Sequence, residues 1–333
     1  MLHDDIELFE QVIVRTSEEL NVELPIVEKD YYVTMFLKKI VEKQPDIIFK
    51  GGTSLSKCYK LIDRFSEDID LNLMGDKKPG ESRRKHLKQN IVSAIDEFGF
   101  SLKNPEDIRS RRDFNKYIID YPSKLSVSFL KPDIIVETAV FFRAYPSKLM
   151  KADSLVYQYL KKSGYDDLID QYELEPFDVN VQTADRTMID KLFALGDYYL
   201  SGTIDEHSRH IYDLHMLYEV VEIDDNLRHL AEQVRAEREP HKTCLSAKAD
   251  VNMNELLQEI IDTNAYKADY ESKTYNMLYK KVSYEEAIET LKKIIEKRYS
   301  KTNSPKRKLR VLFYVHKEMS NFLCNTNDVL AKS

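Results

Sequence analysis

Lys50-Gly51-Gly52-Thr53-Ser54-Leu55-Ser56-Lys57 and, a short connection later, Arg64-Phe65-Ser66-Glu67-Asp68-Ile69-Asp70-Leu71-Asn72-Leu73 form a strand–helix–strand unit. The apolar run Ile47-Ile48-Phe49 leads into the glycines, a helix is expected to open at Thr53 or Ser54, and a second strand carries the acidic residues. Glycines at a strand–helix junction let a phosphate approach backbone N–H groups, and a helix N-terminus adds positive potential there. Side chains alternate along a strand, so Asp68, Asp70 and Asn72 share one face while Ile69, Leu71 and Leu73 point into a core. Two carboxylates roughly 7 Å apart along a strand can share a divalent ion. A phosphate cradle beside an acidic pair is the equipment of phosphoryl or nucleotidyl transfer.

Each motif alone has a plainer reading: a Gly-Gly pair is usually a turn, and Asp-x-Asp is usually a solvated strand edge. Their joint occurrence in one unit, in the required orientation, favours the chemical reading. The Walker A ending is missing and there is no Gly-x-Gly-x-x-Gly at this junction, which disfavours P-loop and dinucleotide folds.

Two further positions carry a charge where periodicity predicts an apolar residue. In Asp133-Ile134-Ile135-Val136-Glu137-Thr138-Ala139-Val140-Phe141, Glu137 shares a face with Ile135 and Ala139. A buried carboxylate needs a cation or metal nearby; a solvent-facing or arginine-paired Glu is the alternative, and Asp133 on the same face is the fallback. On the helix after residue 184, Lys191 adjoins the stripe Met188, Leu192, Leu195 and Tyr199. It can snorkel outward or project into a cleft. Helical spacing alone would pair Asp213 with Arg209. His207, His210 and His215 lack the spacing of a tetrahedral metal set.

At 333 residues, with 42% apolar and 32% charged residues, the chain has the composition of a soluble globular protein with two lobes. No apolar run approaches a membrane span, and the acidic start Met1-Leu2-His3-Asp4-Asp5 is unlike a signal peptide. Cys58, Cys244 and Cys324, odd in number and without Cys-x-x-Cys spacing, fit free thiols in a reducing cytoplasm. A net charge of −7 argues against general coating of nucleic acid and leaves local basic patches to grip it. Candidates are Arg83-Arg84-Lys85 with Lys88, then Arg109, Arg111, Arg112 and Lys116, then Lys297-Arg298 through Lys306-Arg307-Lys308 and Arg310. Most such runs are solvated faces.

Periodicity predicts helices at about 5–19, 25–42 and 81–98, strands at 114–121, 133–142 and 174–182, and a helix opened by the capping box Ser283-Tyr284-Glu285-Glu286. A polar loop is expected at 300–308 and a short helix at 309–323. The expected fold is α+β: a small mixed β-sheet head with flanking helices over 1–145, then a mainly helical lobe over 146–333 that completes the cleft.

The glycine and acidic motifs, reinforced by Val27-Glu28-Lys29-Asp30-Tyr31-Tyr32, Lys191-Leu192-Phe193-Ala194-Leu195 and Arg209-His210-Ile211-Tyr212-Asp213-Leu214, resemble the AbiEii/AbiGii nucleotidyltransferase toxins of the DNA polymerase β-like superfamily. The resemblance runs from about residue 25 to 220. It implies a magnesium-dependent transfer, with two ions (manganese being an alternative) held by Asp68, Asp70 and, as third acid, Glu137. It implies that Gly51, Gly52, Thr53, Ser54 and Lys57 hold the triphosphate of an NTP, with Lys191 also contacting it. Asp213 is then an acid near the substrate that orients Lys191, while Arg64 and Ser66 support the acidic strand, Arg64 being within possible reach of phosphate. Attack on the α-phosphate would release pyrophosphate. The implied acceptor is RNA, a tRNA 3′ end foremost, and the implied biology is a toxin–antitoxin or phage-defence pair whose antitoxin need not form a stable complex. Transfer to a protein or small molecule, kinase-type transfer and a silent nucleotide-binding regulator are the competing readings.

Overall fold

Alternation along the strands that frame the glycines decides how the sheet is covered. The computed structural model describes residues 1–299 except 76–77, 124 and 126–129. The expected loop at 300–308, the helix at 309–323, the basic residues Lys306, Arg307, Lys308 and Arg310, and Cys324 lie outside the described residues.

Helices α1 (Ile6–Leu20) and α2 (Leu24–Lys43) come first. Asp5 caps α1 by accepting from the Leu8 N–H, and Pro25 sits in the first turn of α2, where its missing N–H costs nothing. Then follow β1 (Ile47–Lys50), α3 (Gly51–Lys57), β2 (Ile69–Leu73), α4 (Glu81–Glu97), β3 (Ser101–Leu102), β4 (Phe114–Asp120), β5 (Ile134–Ala139), β6 (Ser147–Ala152), α5 (Leu155–Lys162), α6 (Asp166–Gln171) and β7 (Phe177–Gln182). All seven strands join one mixed sheet in the order β3-β4-β5-β2-β1-β7-β6. Strand β1 runs antiparallel to β2 and parallel to β7, and β2 runs parallel to β5.

One face of this sheet is apolar. Ile47 and Phe49, Ile69 and Leu71, Ile134 and Val136, and Val179 and Val181 pack there against α1, α2, α4 and α5. Helix α2 lies at the centre and buries Tyr31, Val33, Phe36, Leu37 and Ile40. Each such large side chain contributes about 1.5–3 kcal/mol of transfer free energy. The opposite face carries Lys50, Asp70, Asn72, Glu137 and Gln182, and it opens onto the second lobe.

That lobe is built from α7 (Ala184–Ser201), α8 (Arg209–Tyr218), α9 (Asp225–Arg238), α10 (Met253–Asp262), the single turns α11 (Lys267–Asp269) and α12 (Tyr275–Met277) flanking a π-helical segment, and α13 (Tyr284–Tyr299). The predicted capping box forms: the Ser283 N–H donates to Glu286 Oε2 at 2.8 Å and the Glu286 N–H donates to Ser283 Oγ at 3.2 Å. The lobe's own core unites Met188, Leu195, Ile211, Leu257 and Leu291, and draws in Leu55 and Ile62 from the head.

Two features differ from the sequence reading. The change of core falls near residue 183 and not at 145/146, because β6 and β7 complete the sheet before the helical lobe starts. Helix α3 opens at Gly51, two or three residues early, because a positive φ of 76° at Gly51 turns the chain directly out of β1.

Candidate active site

Strand register brings four charges into one row across the open face. Lys116 pairs with Glu137, Glu137 with Asp70, and Asp70 with Lys50, across β4, β5, β2 and β1. Partners in register project to the same side, so the row reads plus, minus, minus, plus. Glu137 is therefore the strand neighbour of Asp70, the place that the family resemblance implied for a third acid. Lys116 lies 3.2 Å from the Glu137 carboxylate. Asp68 precedes β2, and Lys131 holds both its oxygens at 2.7 Å. Desolvation pushes the Asp70 carboxyl up to about 6; Lys50 opposes this, while Glu137 and Asp68 reinforce it.

Both glycines are required by close approach. A Cβ on Gly51 would stand 2.0 Å from Asp70 Oδ2, and one on Gly52 would stand 2.5 Å from Arg64 Nη2 and 2.8 Å from Ser66 Oγ. The glycines let the acidic strand pack directly on the opening turn of α3. Thr53 is buried and donates to Ser66 Oγ at 2.9 Å, which ties that turn to the segment before β2.

Ser54 and Lys57 do not reach the cleft, contrary to the expectation for phosphate contacts. Ser54 Oγ is buried and donates to the Gly51 carbonyl at 2.8 Å. The Lys57 ammonium, 3% exposed, bonds Asp30 Oδ1 at 2.6 Å and Thr34 Oγ1 at 2.5 Å on α2. One turn along a helix that packs its back on α2 points a side chain into the core, so Lys57 anchors the fold. Its neighbour on α2, Lys29, anchors the acidic segment: it is 1% exposed and bonds Glu67 and the carbonyls of Lys131 and Asp133. Asp133, the fallback acid, is spent on Lys103.

Where the lobes meet, Asp213 of α8 is completely buried. Arg64 Nε and Nη2 donate to its two oxygens at 2.7 and 2.8 Å, and Lys191 Nζ donates at 2.6 Å. These two cations outweigh burial and hold the Asp213 carboxyl far below the usual carboxylate range. Asp213 is thus no partner of Arg209, and Arg64 is committed to it and to the Phe65 carbonyl. Lys191 keeps donors to spare, since an ammonium has three.

Two cavities flank Asp70 and Lys191. One of about 110 Å³ is lined by Gly51, Gly52, Ser66, Asp68, Arg209 and Met277 among others. The other, of about 310 Å³, is lined by Lys50, Asn72, Phe141, Phe142, Arg143 and Tyr198 among others. Sequence reading missed Lys50, Lys131 and Tyr198 here, and saw Arg209 only as an ion-pair partner; loop and strand-end lysines break no periodicity and give no signal. Arg209 makes no hydrogen bond or ion pair with the described residues. His207 stacks on Tyr198 at 3.4 Å between centroids with His210 beyond, and burial beside Lys191 and Arg209 keeps His210 neutral. His215 bonds Thr290, so the three histidines do not converge. Of the basic patches, Arg83, Arg84 and Arg111 pair locally with Asp46, Asp113 and Glu81.

The sheet and its helical lobe have the fold of a nucleotidyltransferase. MenT4, a nucleotidyltransferase toxin from Mycobacterium tuberculosis H37Rv, matches with a TM-score of 0.52 over 90% of this chain and 92% of that one, at 16% identity. A likeness at that identity speaks for the fold; the family comes from the sequence. The family model described as "Nucleotidyl transferase AbiEii toxin, Type IV TA system" matches residues 36–297. The chain belongs to this family and is a nucleotidyltransferase toxin of a type IV toxin–antitoxin system. No individually curated protein matches it.

Proposed function

We propose that the chain transfers a nucleoside monophosphate from an NTP to the 3′ end of an RNA, with tRNA the foremost acceptor, and releases pyrophosphate. The row Lys116–Glu137–Asp70–Lys50, placed against the glycine turn, carries the reading. The smaller cavity takes the triphosphate. The first N–H groups of α3 have no acceptor within their own helix, Lys191 has free donors, and Arg209 is unpaired among the described residues. Asp213 fixes Lys191 in place.

Magnesium suits Asp68 and Asp70. It binds through one or two carboxylates plus substrate phosphates, and Gly51 lets the Asp70 carboxylate lie directly against the opening turn of α3, so an ion on Asp70 would stand beside the N–H groups proposed to hold phosphate. Asp68, Asp70 and Glu137 do not converge as the expected three-acid metal set among the described residues, so the ion would rest on Asp68 and Asp70 with the nucleotide's phosphates completing the site. Held by Asp68 and Asp70, magnesium would supply polarisation of the α-phosphate and charge stabilisation for the attacking and leaving oxygens. Glu137, part-exposed beside Asp70, accepts the proton of the acceptor hydroxyl, and Lys116 holds its carboxylate in position.

An RNA acceptor is supported by the larger cavity. Phe141, Phe142 and Tyr198 offer ring surface of the kind on which unpaired bases stack, while Arg143 and Arg238 at its border are paired with Glu237 and with Asp190 and Asp197. The helical lobe beyond it, residues 184–299, is where acceptor recognition then lies.

Purified protein incubated with magnesium, each α-³²P-labelled NTP and total tRNA tests this, with Asp70→Ala as control. Label entering tRNA only with Asp70 intact is expected. Label on protein or a small molecule instead refutes the RNA acceptor, and ADP in place of pyrophosphate refutes nucleotidyl transfer.

A further inference from the structure

Asp68 is proposed above as a metal ligand, yet both its oxygens are taken. Lys131 Nζ sits 2.7 Å from each, a symmetrical contact that covers the open side of the carboxylate. Magnesium would approach the same oxygens to about 2.0–2.1 Å. An ammonium and a divalent ion on one carboxylate repel each other, so one excludes the other.

The main chain of Lys131 is held in place, and its side chain has room to move. Its N–H donates to Glu67 at 3.3–3.4 Å, and its carbonyl accepts from the buried Lys29. The side chain is 38% exposed and borders a further cavity of about 230 Å³, shared with Arg209 and Met277, into which it can swing. Both of those residues also line the proposed triphosphate cavity. Lys29 and Glu67 thus hold a lysine whose ammonium reaches Asp68 and whose side chain borders the phosphate side.

We propose that Lys131 is a built-in counter-cation for Asp68, which a divalent ion must displace, and that it thereby sets the metal affinity of the site. This rests on the reading of Asp68 as a metal ligand. Lys131 acts here as a positioning residue. Leaving Asp68, its ammonium moves toward the cavity that would hold the nucleotide's phosphates, so metal and nucleotide binding favour one another.

The test is Mn²⁺ binding to the full, nucleotide-free chain, followed by electron paramagnetic resonance, for the wild type and for Lys131→Met, Lys131→Arg and Asp68→Asn. Lys131→Met is expected to bind Mn²⁺ about tenfold more tightly, because a competing charge is gone. Lys131→Arg is expected to stay within about twofold of wild type, since the charge remains. Unchanged or weaker binding by Lys131→Met overturns the proposal. If Asp68→Asn weakens binding in that case, the metal reading stands and the role of Lys131 alone falls. If Asp68→Asn binds Mn²⁺ like wild type, the metal reading fails and the proposal with it.

Discussion

Asp213 shows how a completely buried charge can be sustained and what its loss would cost. It accepts two bonds from Arg64 and one from Lys191, and each of those cations is itself almost wholly buried. Asp213→Asn keeps the shape and removes the charge, leaving two cations with no counter-ion. Breaking such a cluster is expected to cost about 3–5 kcal/mol, measured as urea unfolding at pH 7. Because the folded carboxyl is depressed, its stabilisation is fully present above the ordinary carboxylate range and fades as pH falls below it. The gap between wild type and variant should therefore narrow below about pH 4. Asp70 has the opposite sign. With its folded value raised from 3.8 to about 6, the native state holds that proton longer than the unfolded chain does. Stability then falls as pH rises through this window, by at most about 3 kcal/mol. In chelator, Asp70→Asn should unfold at a higher temperature than wild type at pH 8 and at a similar one near pH 4; equal midpoints at pH 8 would contradict the strained carboxylate.

The strand–helix junction is the element on which the site depends, and its logic was partly readable. The glycine pair, the acidic strand and the shared face of Glu137, Ile135 and Ala139 follow from residue type and a period of two, while strand pairing sets Glu137 beside Asp70. Lys57 shows where such reading stops. Position on a helix says that a side chain lies one turn along, and only packing on α2 says that this turn faces Asp30. Strand β6 was invisible for a related reason: it pairs only with β7 and leaves Leu149 exposed, so its sequence lacks the apolar alternation of an inner strand. Substitution at the junction tests the close approach itself. Gly51→Ala puts a methyl at a φ of 76° and against Asp70. The backbone penalty is about 1–2 kcal/mol, while displacement of Asp70 by an ångström is expected to lower transfer about 100-fold. A chain that remains folded by circular dichroism and transfers at the wild-type rate would show that the glycine is a turn and nothing more.

Across the whole molecule, the head and the helical lobe meet through a buried charge cluster on one side of the cleft, and through aromatic rings and the Arg143–Glu237 ion pair on the other. Arg64 reaches from the head to Asp213, while Leu55 and Ile62 sink into the lobe's core, so the triphosphate side of the cleft is fixed by burial. The other side is held closer to the surface. Phe142 meets Phe141 and His241 edge-on, at 4.4 and 4.6 Å between centroids, and Arg238 lies over its ring at 5.0 Å. Its backbone carbonyl accepts from Asn72 at 2.7 Å, a bond that truncating the side chain leaves in place. Phe142→Ala therefore removes ring surface from the larger cavity without loosening the strand end that carries it. Stacking of one base on an aromatic ring is worth about 1–3 kcal/mol, so KM for the RNA acceptor should rise by roughly 5- to 150-fold. The KM for NTP should hold, because the residues proposed to grip the triphosphate lie on the far side of Asp70. Steady-state kinetics with each substrate varied in turn separates the two. A rise confined to the NTP would put the nucleoside, not the acceptor, against these rings, and the acceptor would then have to approach Glu137 from the edge of the sheet at Lys116.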